Sequence, residues 1–461
     1  MSNLKNKHFS RRDFLRGASV ATAAGVLAAC APAGSTGSAS DAGGGDAPSA
    51  EAQTVSFWIF WTQPGKIADQ LLATSELEEL MGGNTLDFKT GVNQEARLTA
   101  IAGGTPPDIG ALGDYTDFMA RGVVDPLDDY VATSSVINEE DFLGTNWSQT
   151  QYEGAMYGIP AIEGFVRRAL YYNAKMIEEA GLDPDNPPVT WDELFDWHVT
   201  LTKFDDAGNL LQIGIDPFDA EGGVGPGNDG WCQMDSWGIQ WWNADTKVFN
   251  FDNEEFAESY EVMGEFIRHV GPDNLVGMRG VEGQGTWGGA FNAEVQAMII
   301  EGYWHSGETF NEKPEVAEHL RATWIPVPES RRGTKIQTGG GHMVQMFRDG
   351  KLKDEAWPVA EWLQTDGFIN LIFENIGWLP SYKPFYDTVD PNYFPALEFT
   401  INSVEEATYW GEENRNEIMP FIREKHGDYR EAVYRDEMSG AEAAAKLQVD
   451  AEKEWKAAGF G

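Results

Sequence analysis

The chain of 461 residues carries 33 Lys and Arg against 74 Asp and Glu, a formal charge of -41, and 42% of its residues are hydrophobic. This length and apolar content suit about two or three compact cores, and they exclude a disordered chain or a mini-protein. The negative charge would repel phosphate backbones, so we expect no nucleic-acid partner. The 17 Trp exceed what ordinary core packing requires. They suggest flat aromatic faces for a ligand.

The first thirty residues have the pattern of an export signal. Arg11 and Arg12 precede a mild apolar run over residues 18–29, which is shorter than the ~20 residues that span a bilayer. The adjacent arginines resemble a twin-arginine signal. The Leu-Ala-Ala-Cys sequence that ends at Cys30 resembles a lipobox. We therefore expect cleavage before Cys30 and a lipid on that cysteine, which would anchor the chain at the outer face of the cytoplasmic membrane.

The segment after the signal is predicted to be a tether. Residues 1–29 are expected to be the signal peptide, and residues 30–53 the lipidated cysteine with a flexible linker. The linker is nearly all Ala, Gly, Ser, Pro and Asp, a composition that cannot bury enough apolar surface to become ordered. Lipid on Cys30 would leave Cys232 without a partner in the chain, so no disulfide framework is expected.

The folded part is predicted to begin with alternating strands and helices. Residues 54–61 read as a strand buried on both faces, and a helix over residues 66–81 follows. A second strand at residues 86–90, a helix around 95–102 and a third strand near 109–112 continue the pattern. Such alternation indicates a doubly wound α/β sheet, in which ligands bind outside the carboxyl ends of the strands.

A set of ordered motifs identifies a family resemblance. The motifs are Gly104-Thr105-Pro106-Pro107-Asp108-Ile109, Tyr157-Gly158-Ile159-Pro160, Pro188-Val189-Thr190-Trp191-Asp192-Glu193-Leu194, Ala297-Met298-Ile299-Ile300-Glu301-Gly302-Tyr303-Trp304 and Gly377-Trp378-Leu379-Pro380-Ser381. Over residues 54 to 458 they resemble the family 1 extracellular solute-binding proteins, the group that contains the maltose-binding proteins. Thr190 and Glu193 also form the pattern of a capping box, which begins a helix.

The resemblance implies an α/β fold of the periplasmic-binding-protein type II kind. Two α/β lobes would be joined by a hinge of several crossings, with a ligand cleft between them. The expected N-terminal lobe comprises residues 54–161 plus about 342–378, and the C-terminal lobe comprises residues 162–341 plus about 379–461. The implied function is capture of a carbohydrate, an oligosaccharide or glycoside, and its delivery to an ABC permease in the cytoplasmic membrane. We expect a monomer that has no enzymatic activity and needs no cofactor or metal.

Candidate ligand residues combine aromatic rings with groups that pair with hydroxyls, because sugars present apolar C–H faces and ringed hydroxyls. Some follow predicted strands, and others match family positions such as the cleft aromatic at Trp304 and the sugar-binding carboxylate at Asp114. The candidates are Trp61, Gln63, Asp114, Tyr115, Glu163, Trp231, Trp304, Trp378 and Trp410.

Other functions stay open as alternatives. The cleft could bind a non-sugar solute such as a polyamine or a peptide, since a cation would suit an acidic cleft. An exported glycoside hydrolase also needs aromatic subsites and paired carboxylates, and it is the remote alternative. The seven His show no zinc spacing, and no Gly-x-Ser-x-Gly elbow occurs. The glycine pattern at residues 283–288 lacks the preceding strand that a dinucleotide site requires.

Overall fold

The computed structural model describes residues 52–113, 115–217, 231–276, 289–411 and 416–461, with the backbone alone for 231–233. Residues 52–461 form one compact unit. The expected signal peptide and nearly all of the expected linker lie outside the described residues, as do the glycine-rich stretches at 222–230 and 283–288. None of the described helices combines the length and the apolar character that a membrane span requires.

The first sheet is mixed. Its order is β15-β14-β3-β1-β2, and β6 also pairs with β14. β1 is parallel to β2 and β3, as the alternating pattern predicts, whereas β14 runs antiparallel to β3 and β6. The strands are β1 (Thr54–Ile59), β2 (Thr85–Lys89), β3 (Ile109–Ala111), β6 (Ile159–Val166), β14 (Ile336–Met346) and β15 (Tyr409–Gly411).

The second sheet has the order β13-β7-β12-β9-β8. β12 is parallel to β9, and the other neighbours in this sheet are antiparallel. Its strands are β7 (Ala169–Asn173), β8 (Lys203–Phe204), β9 (Leu210–Ile215), β12 (Gln296–Glu301) and β13 (Leu320–Thr323). Two short hairpins complete the described strands, namely β4 (Gln151–Tyr152) with β5 (Ala155–Met156) and β10 (Trp242–Asn243) with β11 (Val248–Phe249).

Between described elements, the chain passes twice from one sheet to the other and once from the first sheet to helices of the second core. Arg167 and Arg168 alone separate β6 of the first sheet from β7 of the second. The chain returns between β13 and β14, and it leaves the first sheet again after β15. The predicted boundaries of the two lobes stay a prediction.

Helices cover both sheets. The helices that accompany the first half of the chain are Ala68–Leu72, Ser75–Met81, Gln94–Ala102, Tyr115–Ala120, Asp128–Thr133, Gly144–Ser148, Ala174–Glu179 and Trp191–Leu201. Those of the second half are Trp231–Trp237, Glu254–Val270, Gly289–Asn292, Trp304–Glu312, Pro314–Ala317, Lys353–Trp362, Asp366–Ile376, Leu397–Glu406, Met419–Tyr434 and Gly440–Ala457. Short 3-10 helices occur at Gln63–Ile67, Glu139–Asp141, Glu329–Arg331 and Lys383–Asp387.

Each sheet has its own hydrophobic core. The first core is built around β1 and the helices Lys353–Trp362 and Asp366–Ile376. The second is built around β12 and the helix Glu254–Val270, against which Met419–Tyr434 and Gly440–Ala457 pack. The C-terminal helices thus belong to the second core, although β15 just before them belongs to the first sheet.

Several predicted elements are confirmed, and two need correction. β1 is not buried on both faces, because Val55, Phe57 and Ile59 are buried while the residues between them are partly exposed. The single helix predicted over residues 66–81 is interrupted at Thr74, whose backbone is extended and whose hydroxyl donates to the Leu71 carbonyl. This local side-chain bond competes with the helical pattern.

The capping box predicted at Thr190 and Glu193 is confirmed in one of its two bonds. Thr190 caps the helix Trp191–Leu201 by accepting a bond from the backbone N–H of Glu193. The second half of the expected capping box differs, because the Glu193 carboxylate accepts from the N–H of Val189. Beyond this helix, β8 and β9 pair antiparallel as a hairpin.

Candidate functional site

Four of the predicted ligand residues meet around His342. Its ring lies 4.3 Å from the Trp61 ring, centroid to centroid, in an edge-to-face arrangement. The hydroxyl of Tyr115 is 2.9 Å from His342 Nδ1, and Glu163 Oε1 is 3.1 Å from His342 Nε2. Trp378 joins the group through a 5.5 Å ring contact with Trp61. We call Trp61, Tyr115, Glu163, His342 and Trp378 the His342 cluster.

The carboxyl ends of two neighbouring strands position the first members of the cluster. Trp61 follows β1, and Tyr115 begins the helix that follows β3. The backbone of Trp61 is held by a 2.7 Å bond from the N–H of Gly91 to its carbonyl. This edge is the one at which open α/β sheets bind their ligands.

An irregularity in β6 directs Glu163 toward His342. Gly341 pairs with Gly164, and Met343 pairs with Pro160. The chain therefore advances by two residues on β14 and by four residues on β6 between these pairs. Ile162 has a φ of 71° and Gly164 a φ of 153°, so the additional residues form a bulge. Bulges of this kind redirect side chains next to functional sites.

Close contact between two glycines places Trp378. A Cβ atom on Gly307 would lie 2.3 Å from the carbonyl oxygen of Gly377, which leaves no room for a side chain. The helix Trp304–Glu312 therefore approaches the segment that carries Trp378 closely enough for the indole N–H to donate a 2.5 Å bond to Glu308 Oε1. Burial raises the pKa of Glu308 well above its usual value, even though this indole bond lowers it.

Protonation states in the cluster follow from burial and charge. Burial, with smaller effects of Arg167 and Arg423, lowers the pKa of His342 well below its usual value. Burial and the Glu163 charge raise the pKa of Tyr115. A protonated Tyr115 therefore donates to a neutral His342 at Nδ1, and Nε2–H donates to the Glu163 carboxylate. These roles are assigned from hydrogen-bonding capacity.

Trp304 lies beside the cluster. Its ring centroid is 5.4 Å from the guanidinium carbon of Arg167, the same arginine whose charge acts on His342. Trp61, Trp304 and Trp378 belong to one hydrophobic core and are 7%, 8% and 3% exposed. The side chain of His342 retains 21% of its accessible surface, so the cluster opens to its surroundings there.

The structure places the other candidates differently. Gln63 begins a 3-10 helix next to Trp61 and is partly exposed. Trp410 is partly exposed on β15, where it pairs with Gln337 and lines a pocket that contains none of the cluster residues. Asp114 and the side chain of Trp231 lie outside the described residues. The ligand roles of all nine candidates stay predictions.

Three residues that the sequence did not single out contribute to this region. They are His342, Glu308 and Arg167. The signal that could have found His342 is that it follows Gly339-Gly340-Gly341 as the one acidic or basic residue of β14. Within the described residues, no group of three or more His, Cys, Asp or Glu could hold a metal ion. The cluster offers indole faces, a carboxylate, an imidazole and a phenol, which suit a ligand with apolar faces and hydroxyls.

Structures of known proteins share this fold. A structure described as CpMnBP1 with mannotriose bound has a TM-score of 0.73 and 19% identity, over 86% of this chain and 99% of its own. An ABC transporter solute-binding protein from Thermotoga lettingae TMO, bound with α-D-tagatose, has a TM-score of 0.69 and 19% identity, over 87% and 99%. These likenesses establish the type II periplasmic-binding-protein fold, two α/β lobes with a cleft between them.

Sequence comparisons give the family and the export route. A putative binding protein of Brucella abortus (strain 2308) is 25% identical over 313 residues, 65% of this chain and 69% of the Brucella protein. The profile of twin-arginine translocation signals matches residues 8–28, which confirms the predicted export signal. The profile described as bacterial extracellular solute-binding protein matches residues 63–368. The chain therefore belongs to the family of bacterial extracellular solute-binding proteins.

Proposed function

We propose that the protein captures a carbohydrate between its two lobes and delivers it to the permease of an ABC importer. The observation that carries this proposal is the His342 cluster, in which Trp61 and the carboxylate of Glu163 both contact His342, and Trp378 contacts Trp61. Indole rings pack against the C–H faces of sugars, and a carboxylate accepts their hydroxyl protons. The structural neighbours support the same class of ligand, since CpMnBP1 binds mannobiose and mannotriose and the Thermotoga lettingae protein binds α-D-tagatose.

Most of the surface of the cluster tryptophans is packed against protein. A sugar of two or more rings would therefore reach the indole faces when the lobes move apart, and closure would bury it again. Closure about a few hinge residues is a common response of two-lobed proteins to a ligand. Arg167 and Arg168, which alone join β6 to β7, are at the place where such a motion would be absorbed.

A thermal-shift screen tests the proposal. The purified mature protein is melted with monosaccharides, with oligosaccharides that include mannobiose and mannotriose, and with polyamines and short peptides. A ligand at a hundredfold excess over its dissociation constant adds ~2.7 kcal/mol of stability. We expect a sugar to raise the melting temperature, and we expect this rise to be lost in Trp61→Ala and in Glu163→Gln.

Trp197→Ala is the matched control, because Trp197 packs against Tyr172 in the second core. It should lower the melting temperature and leave the sugar-induced rise intact. A rise with a polyamine or a peptide alone would replace the carbohydrate with that solute. Recovery of a cleaved sugar would overturn the transport proposal in favour of a glycoside hydrolase.

The lipid anchor is a separate part of the proposal. We infer that Cys30 becomes the lipidated N-terminus after signal cleavage, because the Leu-Ala-Ala-Cys sequence follows the matched export signal. The anchor would hold a monomeric receptor near its permease. Labelling cells with a radioactive fatty acid should mark the wild-type protein in the membrane fraction. Cys30→Ser should be unlabelled, and labelling that persists in this variant would contradict lipidation at this residue.

A further inference from the structure

A pocket of 380 Å³ lies between the two cores, apart from the His342 cluster. One wall is formed by the helix Gly144–Ser148 and Gln149, which pack on β14. A second wall runs from the helix Trp231–Trp237 to Ala244, and Met234 and Trp241 there belong to the second core. β15 supplies the third wall. The volume is within the range of about 300–1,000 Å³ that is usual for small-molecule sites.

The pocket and the His342 cluster are on opposite faces of β14. Side chains alternate along a strand, and the bulge in this region belongs to β6, so Gly339 and His342 face opposite ways. Gly339 lines the pocket, where a Cβ atom on it would collide with Thr145. His342 contacts Trp61 on the other face. The pocket is therefore a second site rather than an extension of the first.

The chemistry of the pocket suits a neutral, hydroxylated ligand. Trp410 and Tyr409 are partly exposed aromatic residues in its wall, and Gln149, Gln240 and Ser148 supply amides and a hydroxyl. Aromatic rings next to amides and hydroxyls match the apolar faces and the hydroxyl groups of a sugar ring.

Charge in the pocket wall is already balanced. Among the described residues that line the pocket, Asp235 is the one with an acidic or basic side chain. Its carboxylate accepts a 2.6 Å bond from Arg168 Nε and a 2.7 Å bond from the hydroxyl of Thr338. The described part of the wall thus offers an ionised ligand no unbalanced opposite charge. We propose that the pocket is a second carbohydrate site, which takes a neutral sugar of one or two rings independently of the His342 cluster.

Saturation-transfer NMR with methyl α-D-mannopyranoside and methyl β-D-glucopyranoside tests this site. The mature protein is compared with a double variant, Trp61→Ala with Glu163→Gln, which disables the His342 cluster. Two further variants alter the pocket: Trp410→Ala removes an aromatic wall, and Ala244→Trp fills the pocket from its exposed rim. Melting temperatures without sugar check that each variant is folded.

We expect at least one glycoside to give a signal in the wild type and in the double variant. Ala244→Trp and Trp410→Ala, each built into the double variant, should reduce that signal at least fivefold. The proposal is overturned if neither glycoside gives a signal in the double variant, or if both pocket variants leave the signal unchanged. A signal that is present in the wild type and absent from the double variant would show that the glycoside binds at the His342 cluster. The proposed function would then stand, and the second site would be overturned. The second site would stand and the proposed function would fail if the double variant keeps its signal while Trp61→Ala does not change the thermal shift caused by the sugar.

Discussion

The Nε2 atom of His342 lies 3.1 Å from Glu163 Oε1, and this contact links the crossing strand β14 to the bulge of β6. Its partner on the other side is the hydroxyl of Tyr115, 227 positions away in the chain. A neutral imidazole that donates to one residue and accepts from another fixes both. His342 is therefore expected to position Tyr115 and Glu163 for the ligand.

A double-mutant cycle measures this linkage. His342→Gln and Glu163→Gln should each destabilise the ligand-free protein, because each leaves a buried polar partner poorly paired. The double variant should lose less than the sum, with a coupling energy of about 0.5–3 kcal/mol, since the two side chains share one bond. Urea denaturation of the four proteins gives this value. Strict additivity would show that the contact contributes nothing.

Buried histidines predict a loss of stability in acid. Burial lowers the pKa of His198 and of His305 to about 3, and it lowers the pKa of His342 and of His426 well below the usual value. In the unfolded chain these histidines become protonated near pH 6.5, whereas in the folded protein they stay neutral at that pH. Stability should thus be flat with respect to these groups above about pH 6.5 and fall below it, by ~1.4 kcal/mol per pH unit for each histidine.

Urea midpoints between pH 8 and pH 4.5 test this dependence. His305→Phe is the control, because His305 packs between Tyr171 and Phe291 and a phenyl ring keeps that contact while it removes the titration. Below pH 6.5 the free energy of unfolding of this variant should fall less steeply with pH, by the ~1.4 kcal/mol per pH unit that one proton contributes. An unchanged slope would show that His305 does not resist protonation in the folded state.

Glu308 predicts the opposite pH dependence. Burial raises the pKa of Glu308 well above 4.5, and within the described residues its Oε2 has no hydrogen-bond partner. The folded state therefore retains a proton that the unfolded chain loses, so this group lowers stability as the pH rises from about 4.5 toward its folded pKa.

Glu308→Gln keeps an acceptor for the Trp378 indole and removes the titration. The variant should gain stability relative to the wild type as the pH rises from 5 to 8. The gain should grow with pH by at most ~1.4 kcal/mol per pH unit, the slope for one proton. Denaturation curves of both proteins at pH 5, 6.5 and 8 measure the difference. A difference that is constant over this range would contradict the raised pKa.

The sequence predicted the parts of the fold and site that depend on local pattern. Alternating strands and helices predict the parallel arrangement of β1, β2 and β3, and the ends of β1 and β3 lead to Trp61 and Tyr115 as candidate ligand residues. Such predictions succeed because parallel strands bring their carboxyl ends to one edge of a sheet. The family motifs led to Trp378, although not to its bond with Glu308.

The rest depends on contacts between distant segments. His342 was not found because its role requires β14 to pair with β3 and β6 at once, which no local pattern encodes. The bulge at Ile162 and Gly164 is likewise a property of that pairing. Trp410 was placed with the other aromatic candidates, whereas the structure puts it on β15 beside a separate pocket. The number of aromatic residues in the sequence does not show on which face of β14 each of them lies.

The ion pair between Arg168 and Asp235 is expected to contribute strongly to stability at the connection between β6 and β7. Arg168 leaves β6, Asp235 belongs to the helix Trp231–Trp237, and their 2.6 Å contact is almost fully buried, with side chains 8% and 7% exposed. Asp235→Asn would leave a buried guanidinium without its carboxylate. Breaking a buried pair in this way costs about 3–5 kcal/mol.

Arg321 and Asp185 provide a matched control, because their N–O distance is also 2.6 Å while their side chains are 43% and 79% exposed. Solvent screens this pair, so Asp185→Asn should cost at most about 1 kcal/mol. Urea denaturation at pH 7.5 in 0.05 M and 0.5 M salt separates the two. Salt should weaken the small effect of Asp185→Asn and leave most of the large effect of Asp235→Asn. Equal losses in the two variants would mean that burial does not set the strength of the crossing pair.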